Sequence, residues 1–303
     1  MKNKRKIITT LLVSACVYFL WFLYIKEYDY TITIKANTSP GVVYTSVMKW
    51  ANDLESTQGV KTIHLSDKKF SSIHHTSFLD SLPLFFEWKI RPLTDSLTEV
   101  KIGVKNPNNA IRNRLQKLVI STPLEKRIHK EFISFNNGLI KHVEEFKVKI
   151  KGKSASPEAY VAYVNIACDQ KEKATYMLRN SGYINSFLKE HNIKLVANPF
   201  IEISNWDIEN EKLQFSFCFP ISKMDHFPLY SDIKYKKVVS EPSIKAVFYG
   251  NYSFSDRSWY ALHQYAINNN IEIKPSLVEV FYNNPHVGGN DLEWKAEIFM
   301  KIN

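Results

Sequence analysis

The sequence predicts an α+β protein with an N-terminal transmembrane helix, a first domain in which a sheet wraps one long helix, and a second domain of two strand-helix-strand-strand units. Three observations support this: a 19-residue run without charge, strand patterns that end in a long amphipathic helix, and an internal repeat in the C-terminal half. The chain has 303 residues, 45% hydrophobic and 14% aromatic, which is sufficient for two cores.

The charge distribution argues against a nucleic-acid-binding protein. The net charge of +10 divides into +5 over residues 1–26, +5 over residues 27–150 and zero over residues 151–303. The first excess surrounds the uncharged run, and the second is concentrated between Arg112 and Lys130. Because no block interleaves basic and aromatic residues as a nucleic-acid surface does, we expect no nucleic-acid partner.

The histidine and cysteine residues lack the spacing of metal ligands. His74 and His75 are adjacent in a strand-like run, where neighbouring side chains point to opposite faces. Cys16 lies in the uncharged run, while Cys168 and Cys218 could form a disulfide or remain as buried free thiols. We predict no metal and no cofactor.

Residues 1–26 are predicted to form a membrane anchor. The uncharged run from Ile7 to Ile25 approaches the roughly 20 residues that a helix needs to cross a bilayer. Basic residues precede it, so the positive-inside rule places the N-terminus in the cytoplasm and the remaining chain in the periplasm or another extracytoplasmic space. The basic residues that favour this orientation are Lys2, Lys4, Arg5 and Lys6. Tyr18, Trp21 and Tyr24 lie towards the far end of the run, where aromatic rings favour the membrane interface.

Two alternatives stay open for this segment. It could be a cleaved signal peptide, although the run is long for one and lacks a polar exit after a small-residue site. It could also be a lipoprotein signal, because "LVSAC" resembles a lipobox that ends at Cys16. Against this, the apolar run continues for nine residues beyond that cysteine.

Residues 27–150 are predicted to form the first domain. An alternating strand is followed by a helix that starts at Ser39-Pro40 and then by three further strand patterns. A sheet curved over a final long helix encloses a cavity where the facing side chains do not fill it. The helical stripes that close the domain are Ile111, Leu115 and Leu118, then Leu124, Ile128, Phe132, Phe135, Leu139, Val143 and Phe146.

This arrangement resembles the START-like superfamily, which includes polyketide cyclase-like and lipid-transfer proteins. The segments that carry the resemblance are "ANTSPGVVYTSVMKW", "FFEWKIRPL", "LTEVKIGV" and the closing helix. The resemblance implies a helix-grip fold for residues 27–150. Such folds host binding, transport and catalysis, so the fold alone does not name a function. We find no convergent catalytic set in this domain.

Residues 151–157 are predicted to be a small, polar linker, and residues 158–303 a domain built from a repeat. Each half has the pattern strand, helix, strand, strand. The segment "HNIKL" matches "NNIEI", and "NPFIEIS" matches "KPSLVEVF", so Glu202 corresponds to Glu279. Glu279 shares one side of its strand with Leu277 and Phe281, which indicates either an acid at the floor of an apolar pocket or a wet strand face.

The second domain resembles the GyrI-like family, also known as AraC-type effector-binding domains. The resemblance rests on "GNY" at residues 250–252, a helix with Trp259 and Tyr260, "EVFYNNP" at residues 279–285 and the closing strand "AEIFMKI". It implies that Glu279 lies in an aromatic pocket that faces lipophilic, often cationic, ligands. The predicted ligand-binding residues are Glu279, Phe281, Tyr252, Trp259 and Glu202.

The sequence departs from the family pattern at two positions. Phe281 stands where the family usually has an aromatic hydroxyl, and Asn284 stands where an aspartate is usual. The first departure removes a hydroxyl that chemistry in the pocket would use but keeps the apolar wall.

These observations favour a membrane-tethered binding protein for hydrophobic small molecules, cationic ones among them. One alternative is a GyrI-like hydrolase of reactive electrophiles in which Glu279 is the general base; otherwise we assign no catalytic residue. Another is a docking module for an envelope protein, whose identity the sequence does not indicate.

Overall fold

The computed structural model describes the whole chain except residues 1, 80–81, 108–110, 112–113, 116–121, 225, 229 and 231. It is an α+β structure with two antiparallel sheets, which confirms the predicted fold class. The helices are α1 (Lys2–Leu20), α2 (Pro40–Gln58), α3 (Pro123–Glu144), α4 (Lys173–Glu190) and α5 (Arg257–Asn268). The strands are β1 (Tyr30–Ala36), β2 (Thr62–Lys68), β3 (Ser72–Leu79), β4 (Leu82–Thr94), β5 (Leu97–Lys105), β6 (Phe146–Ala155), β7 (Ala159–Asp169), β8 (Phe200–Asp207), β9 (Lys212–Pro220), β10 (Lys234–Val238), β11 (Pro242–Gly250), β12 (Ile273–Phe281) and β13 (Lys295–Ile302).

The chain divides into two compact units. Unit 1 comprises Met1–Ala36, Val43–Arg91 and Thr98–Ile140. Unit 2 comprises Asn37–Val42, Pro92–Leu97 and Lys141–Asn303.

Helix α1 continues into a wide π turn over Trp21–Ile25, and its apolar side chains are largely exposed. The segment Lys4–Ile25 is long and apolar enough to cross a membrane, and it is the one helix with that property in the part of the chain that the structure describes.

Unit 1 contains a five-stranded antiparallel sheet in the order β1-β5-β4-β3-β2. Helix α2 begins at Pro40 and β3, β4 and β5 cover the three predicted strand patterns. Strand β2 was not predicted. It is an edge strand with mostly exposed side chains, so it lacks the apolar alternation that marks a half-buried strand. Of the predicted stripe before α3, Ile111 and Leu115 are helical, and Leu118 lies outside the described residues.

Aromatic side chains nearly fill the interior between this sheet and α3. Trp50 stacks on Phe132 with ring centroids 6.0 Å apart, and Trp88 packs edge-on against Phe135 at 5.1 Å. A cavity of about 10 Å³ remains, which is room for about one water molecule. The sequence allowed for a ligand-sized cavity here, and the large rings account for the difference.

A buried histidine in β3 is held in the neutral state. Trp88 Nε1 donates to His75 Nε2 over 2.9 Å, so Nδ1 carries the proton and donates to Ser77 Oγ at 3.1 Å. Burial, together with the charge of His64, lowers the pKa of His75 to about 4.

We expect unit 1 to lose stability as the pH falls from about 6.5 to about 4. In this window the unfolded chain protonates His75 while the folded chain does not, which lowers the free energy of unfolding by about 3 kcal/mol. Hydrogen exchange of the β3–β4 hairpin in the full chain measures the effect. The variant H75Q should flatten this pH dependence, whereas H129Q, which changes an exposed histidine of α3, should leave it in place. Equal pH profiles for H75Q and the wild type would contradict the assignment.

Unit 2 contains an eight-stranded antiparallel sheet in the order β10-β7-β9-β8-β12-β13-β11-β6. Each half supplies a strand, a helix and two strands, as the repeat predicts: β7, α4, β8 and β9, then β11, α5, β12 and β13. The mirrored order of the six strands places a pseudo-twofold axis between β8 and β12. Both helices pack against the sheet.

The predicted linker is mostly strand. Residues 151–155 belong to β6, which pairs antiparallel with β11. Gly152, at φ +81°, lies at an irregularity in that pairing. The glycine and the lysines around it have the composition of a linker, although their backbone is hydrogen-bonded to β11.

The free thiols of Cys168 and Cys218 lie on neighbouring strands opposite Leu213 and Tyr163, about 16 Å apart along the ladder, which is too far for a disulfide.

Candidate functional site

Glu279 lies on β12 at the centre of the unit 2 sheet and is fully buried, with an exposed fraction of 0%. Leu277 and Phe281 are on the same side of the strand and are also buried. Glu279 stands opposite Ile201 on β8, next to the pseudo-twofold axis. The carboxylate therefore points inward from an apolar strand face, and the wet-face alternative is wrong for this residue.

A lysine of the same chain neutralises this carboxylate. Lys173 Nζ lies 2.8 Å from Glu279 Oε2, and the two side chains are 2% and 0% exposed. The ammonium also donates to Ser255 Oγ and lies 4.7 Å from the ring centroid of Trp259. Trp259 Nε1 donates to the second carboxylate oxygen, Oε1, at 3.3 Å. The carboxylate, the indole and the hydroxyl thus form a receptor that already holds an ammonium group.

Beside the Lys173–Glu279 pair, a second buried polar cluster connects the start of α4 to the start of α5 by hydrogen bonds. The Gln170 side-chain amide donates to Asp256 Oδ2 at 2.8 Å and to the Tyr260 hydroxyl at 2.7 Å. Its carbonyl oxygen accepts from Trp206 Nε1 at 2.9 Å. Trp206 packs edge-on against Trp259, with centroids 5.5 Å apart, so the cluster supports the ring that covers the Lys173 ammonium.

Tyr252 and Phe281 form an aromatic wall at the end of β12. Their ring centroids are 4.8 Å apart. The Tyr252 hydroxyl donates to the Lys295 carbonyl at 2.8 Å and accepts from the Asn283 amide at 3.0 Å. Burial raises the pKa of Tyr252 to about 12, so the hydroxyl stays neutral.

Gly250 allows the chain to turn into this wall. Its φ is +148°, and an added Cβ would lie 3.0 Å from the Glu145 carbonyl oxygen and 2.9 Å from Phe146 Cβ. A glycine is therefore needed where β11 ends and the "GNY" segment begins.

Glu202 is not part of the site. It stands opposite Val278, whereas Glu279 stands opposite Ile201, so the two carboxylates project from opposite faces of the sheet. Glu202 pairs with Lys236 at 2.8 Å and Lys301 at 3.2 Å. The repeat alignment that equated Glu202 with Glu279 is thus wrong in register, because a slip of one residue reverses the face of a strand residue.

Lys173 is the functional residue that the sequence analysis missed. It is the first residue of α4 and lies on the buried stripe of that helix, in line with apolar positions. A lysine on the apolar stripe of a helix is the signal that could have identified it, since a buried ammonium needs an acidic partner. The stripe consists of Lys173, Met177, Ile184, Phe187 and Leu188.

Fold and site define the chain as an α+β protein with two antiparallel-sheet units, an apolar N-terminal helix and a buried acid-indole site. No known family model and no curated protein matches it. Among solved structures it is similar to the EcmrR C-terminal domain, with 14% identity over 52% of this chain and 98% of that one and a TM-score of 0.44. SAV2435 bound to tetraphenylphosphonium is 8% identical over 52% of this chain and 94% of that one, with a TM-score of 0.36. The di-domain ARO/CYC StfQ from the steffimycin biosynthetic pathway is 12% identical over 90% of this chain and 85% of that one, with a TM-score of 0.27.

Proposed function

We propose that this protein is a membrane-tethered binder of hydrophobic, cationic small molecules, and that unit 2 belongs to the GyrI-like class of ligand-binding domains. A single observation carries the proposal: the Lys173 ammonium is held 2.8 Å from the Glu279 carboxylate and 4.7 Å from the centre of the Trp259 ring. An acid and an indole that hold one buried cation offer the same contacts to another cation.

Without a ligand, the ammonium of Lys173 fills the cation position between Glu279 and Trp259. A ligand that carries a positive charge and apolar groups replaces the ammonium, stacks on Trp259 and extends towards the wall of Tyr252 and Phe281. The contacts of the ligand must offset the free-energy cost of separating the Lys173 ammonium from the Glu279 carboxylate. The proposal for unit 1 is limited to a supporting role, because its cavity of about 10 Å³ does not admit such a molecule.

Thermal-shift titration with tetraphenylphosphonium, the cation in the SAV2435 structure, tests the proposal on the full chain. The variant K173M empties the receptor and leaves the carboxylate in need of a cation. We therefore expect at least a tenfold gain in affinity over the wild type, which corresponds to about 1.4 kcal/mol. The double variant K173M/E279Q has the same methionine but no carboxylate, and it should bind no better than the wild type.

Comparison of the wild type, K173M and K173M/E279Q shows whether tetraphenylphosphonium binds at Glu279. A gain in K173M that is lost in K173M/E279Q supports a cation site at Glu279. Equal shifts in all three proteins would place tetraphenylphosphonium elsewhere and contradict the proposal.

The geometry does not favour the hydrolase alternative. A general base must reach a water molecule beside the substrate, whereas the Glu279 carboxylate is fully buried and its charge is paired with Lys173 at 2.8 Å. In the K173M variant the base would be released, so turnover of an electrophilic substrate by K173M alone is the result that would revive this alternative.

The membrane tether is the second part of the proposal. Lys4–Ile25 supplies a helix of sufficient length, and the basic residues before it favour a cytoplasmic N-terminus with both units outside the cytoplasm. Alkaline carbonate extraction of membranes that contain the full chain tests this part, together with an intact mass that includes residues 1–26. Release of the chain into the soluble fraction, or a mass that begins at Cys16, would contradict the uncleaved anchor.

A further inference from the structure

A buried arginine joins the end of the apolar helix to the rest of unit 1. Arg114 Nη1 donates to the Leu23 carbonyl at 2.8 Å and to the Phe22 carbonyl at 3.4 Å. Arg114 Nε pairs with Asp29 at 2.8 Å, and the two side chains are 5% and 2% exposed. The last carbonyls of a helix have no partner within it, and the arginine supplies one. The π turn is therefore held against the rest of unit 1 by hydrogen bonds from a side chain far along the sequence.

Two apolar side chains flank this arginine on the outside of the protein. Ile111 and Leu115 are helical, four residues apart, and 43% and 42% exposed, whereas Arg114 between them is buried. Residues four apart share a face of a helix, so Ile111 and Leu115 form one partly exposed apolar face beside the buried Arg114. At the end of the anchor itself, Trp21 and Tyr24 are 43% and 66% exposed.

The position of the arginine sets the depth of this face. Leu23 is two residues before Ile25, the last apolar residue of the anchor, and a helix rises about 1.5 Å per residue. The carbonyls that bind Arg114 thus lie within about 5 Å of the end of the apolar run. The Arg114 guanidinium is therefore at the level where tryptophan and tyrosine rings of an anchor meet lipid head groups, and Ile111 and Leu115 lie within one helical turn of Arg114.

We infer that the face formed by Ile111 and Leu115 is a second, interfacial contact with the phospholipid bilayer, so that unit 1 lies on the membrane surface. The inference rests on the proposed membrane tether. Continuity with the apolar helix identifies the lipid as the occupant: the same hydrogen bonds that end the helix place this face beside it. Lys126 and Lys130, exposed on the first turns of α3, add charge that complements anionic head groups.

Fluorescence quenching by lipids tests the inference on the full chain in nanodiscs of phosphatidylcholine and phosphatidylglycerol. Single bimane labels are placed with I111C or L115C in a background of C16S, C168S and C218A, and the quencher is a lipid with a nitroxide near the head group. The matched control is I140C. Ile140 is 51% exposed and lies about 26 Å along α3 from the start of that helix. The start of α3 is near the anchor, because Thr122, directly before α3, hydrogen-bonds to Tyr30 at the beginning of β1.

We expect at least threefold stronger quenching at positions 111 and 115 than at position 140, and a loss of this difference in the R114M background. Equal quenching at all three positions would overturn the inference. A label on the native Cys16, in a C168S/C218A background, distinguishes the two proposals. If Cys16 is quenched by a mid-chain nitroxide while positions 111 and 115 are not, the tether holds and the second contact fails. If Cys16 is not quenched, both fail.

Discussion

The substitution E279Q is expected to lower the free energy of unfolding of unit 2 by about 3–5 kcal/mol. Glutamine keeps the size of the side chain and an oxygen that can accept from Trp259. It removes the charge that neutralises Lys173, whose side chain is 2% exposed, and so leaves a buried ammonium without a counter-ion. Urea unfolding of the full chain, followed by hydrogen exchange in β12 and β13, measures the loss.

The double variant K173M/E279Q serves as the internal control for this prediction. Removing both charges also removes the desolvation cost, so the double variant should recover most of the stability that E279Q loses. K212M, which breaks the exposed pair of Lys212 with Asp169, should change the free energy of unfolding by less than about 1 kcal/mol. If E279Q and K212M have equally small effects, the Lys173–Glu279 pair is not the desolvated interaction described here.

The substitution R114M is expected to destabilise unit 1 by about 3–5 kcal/mol. It removes the positive partner of Asp29, which is 2% exposed, and the donor to the Leu23 carbonyl. Methionine preserves the apolar stem, so the loss reports the charge and its hydrogen bonds. Hydrogen exchange of β1 and β5 in detergent-solubilised full chain measures the effect, because Asp29 lies directly before β1 and accepts from the Asn106 amide after β5.

A surface arginine of the same unit provides the comparison for R114M. Arg91 pairs with Glu99 at 3.0 Å but is 65% exposed, and R91M should cost less than about 1 kcal/mol. Similar exchange rates in R114M and R91M would mean that the Arg114–Asp29 pair contributes no more than a surface pair. Restoration of protection by the double variant D29N/R114M would show that the cost came from the unpaired carboxylate.

Local patterns predicted the elements that have one buried face. Alternation placed Glu279 on the same strand face as Leu277 and Phe281, because side chains two residues apart share a face, but it left open whether that face is buried. The structure shows that all three side chains are buried. The strand-helix-strand-strand repeat of unit 2 was visible for the same reason. The start of α2 at Pro40 followed from the restricted φ of proline, which suits the first turn of a helix.

The remaining errors arose where the answer depends on contacts between distant segments. Lys173 and Glu279 are 106 residues apart, and no local pattern reports that an ammonium will meet a carboxylate. The register between β8 and β12 decides that Glu202 faces away from the site, and register depends on pairing across the axis. Strand β6 has few apolar residues and depends on β11 for its hydrogen bonds, so its composition resembled a linker.

The pseudo-twofold sheet has a chemical asymmetry at its axis that determines which halves can assemble. The half from β7 to β9 contributes an ammonium, through Lys173, and the half from β11 to β13 contributes a carboxylate, through Glu279. Two copies of the first half joined about the same axis would bury cations alone, and two copies of the second would bury anions alone. The two halves are therefore complementary in charge at the axis, and pairing of two like halves is disfavoured because it would bury like charges without counter-ions.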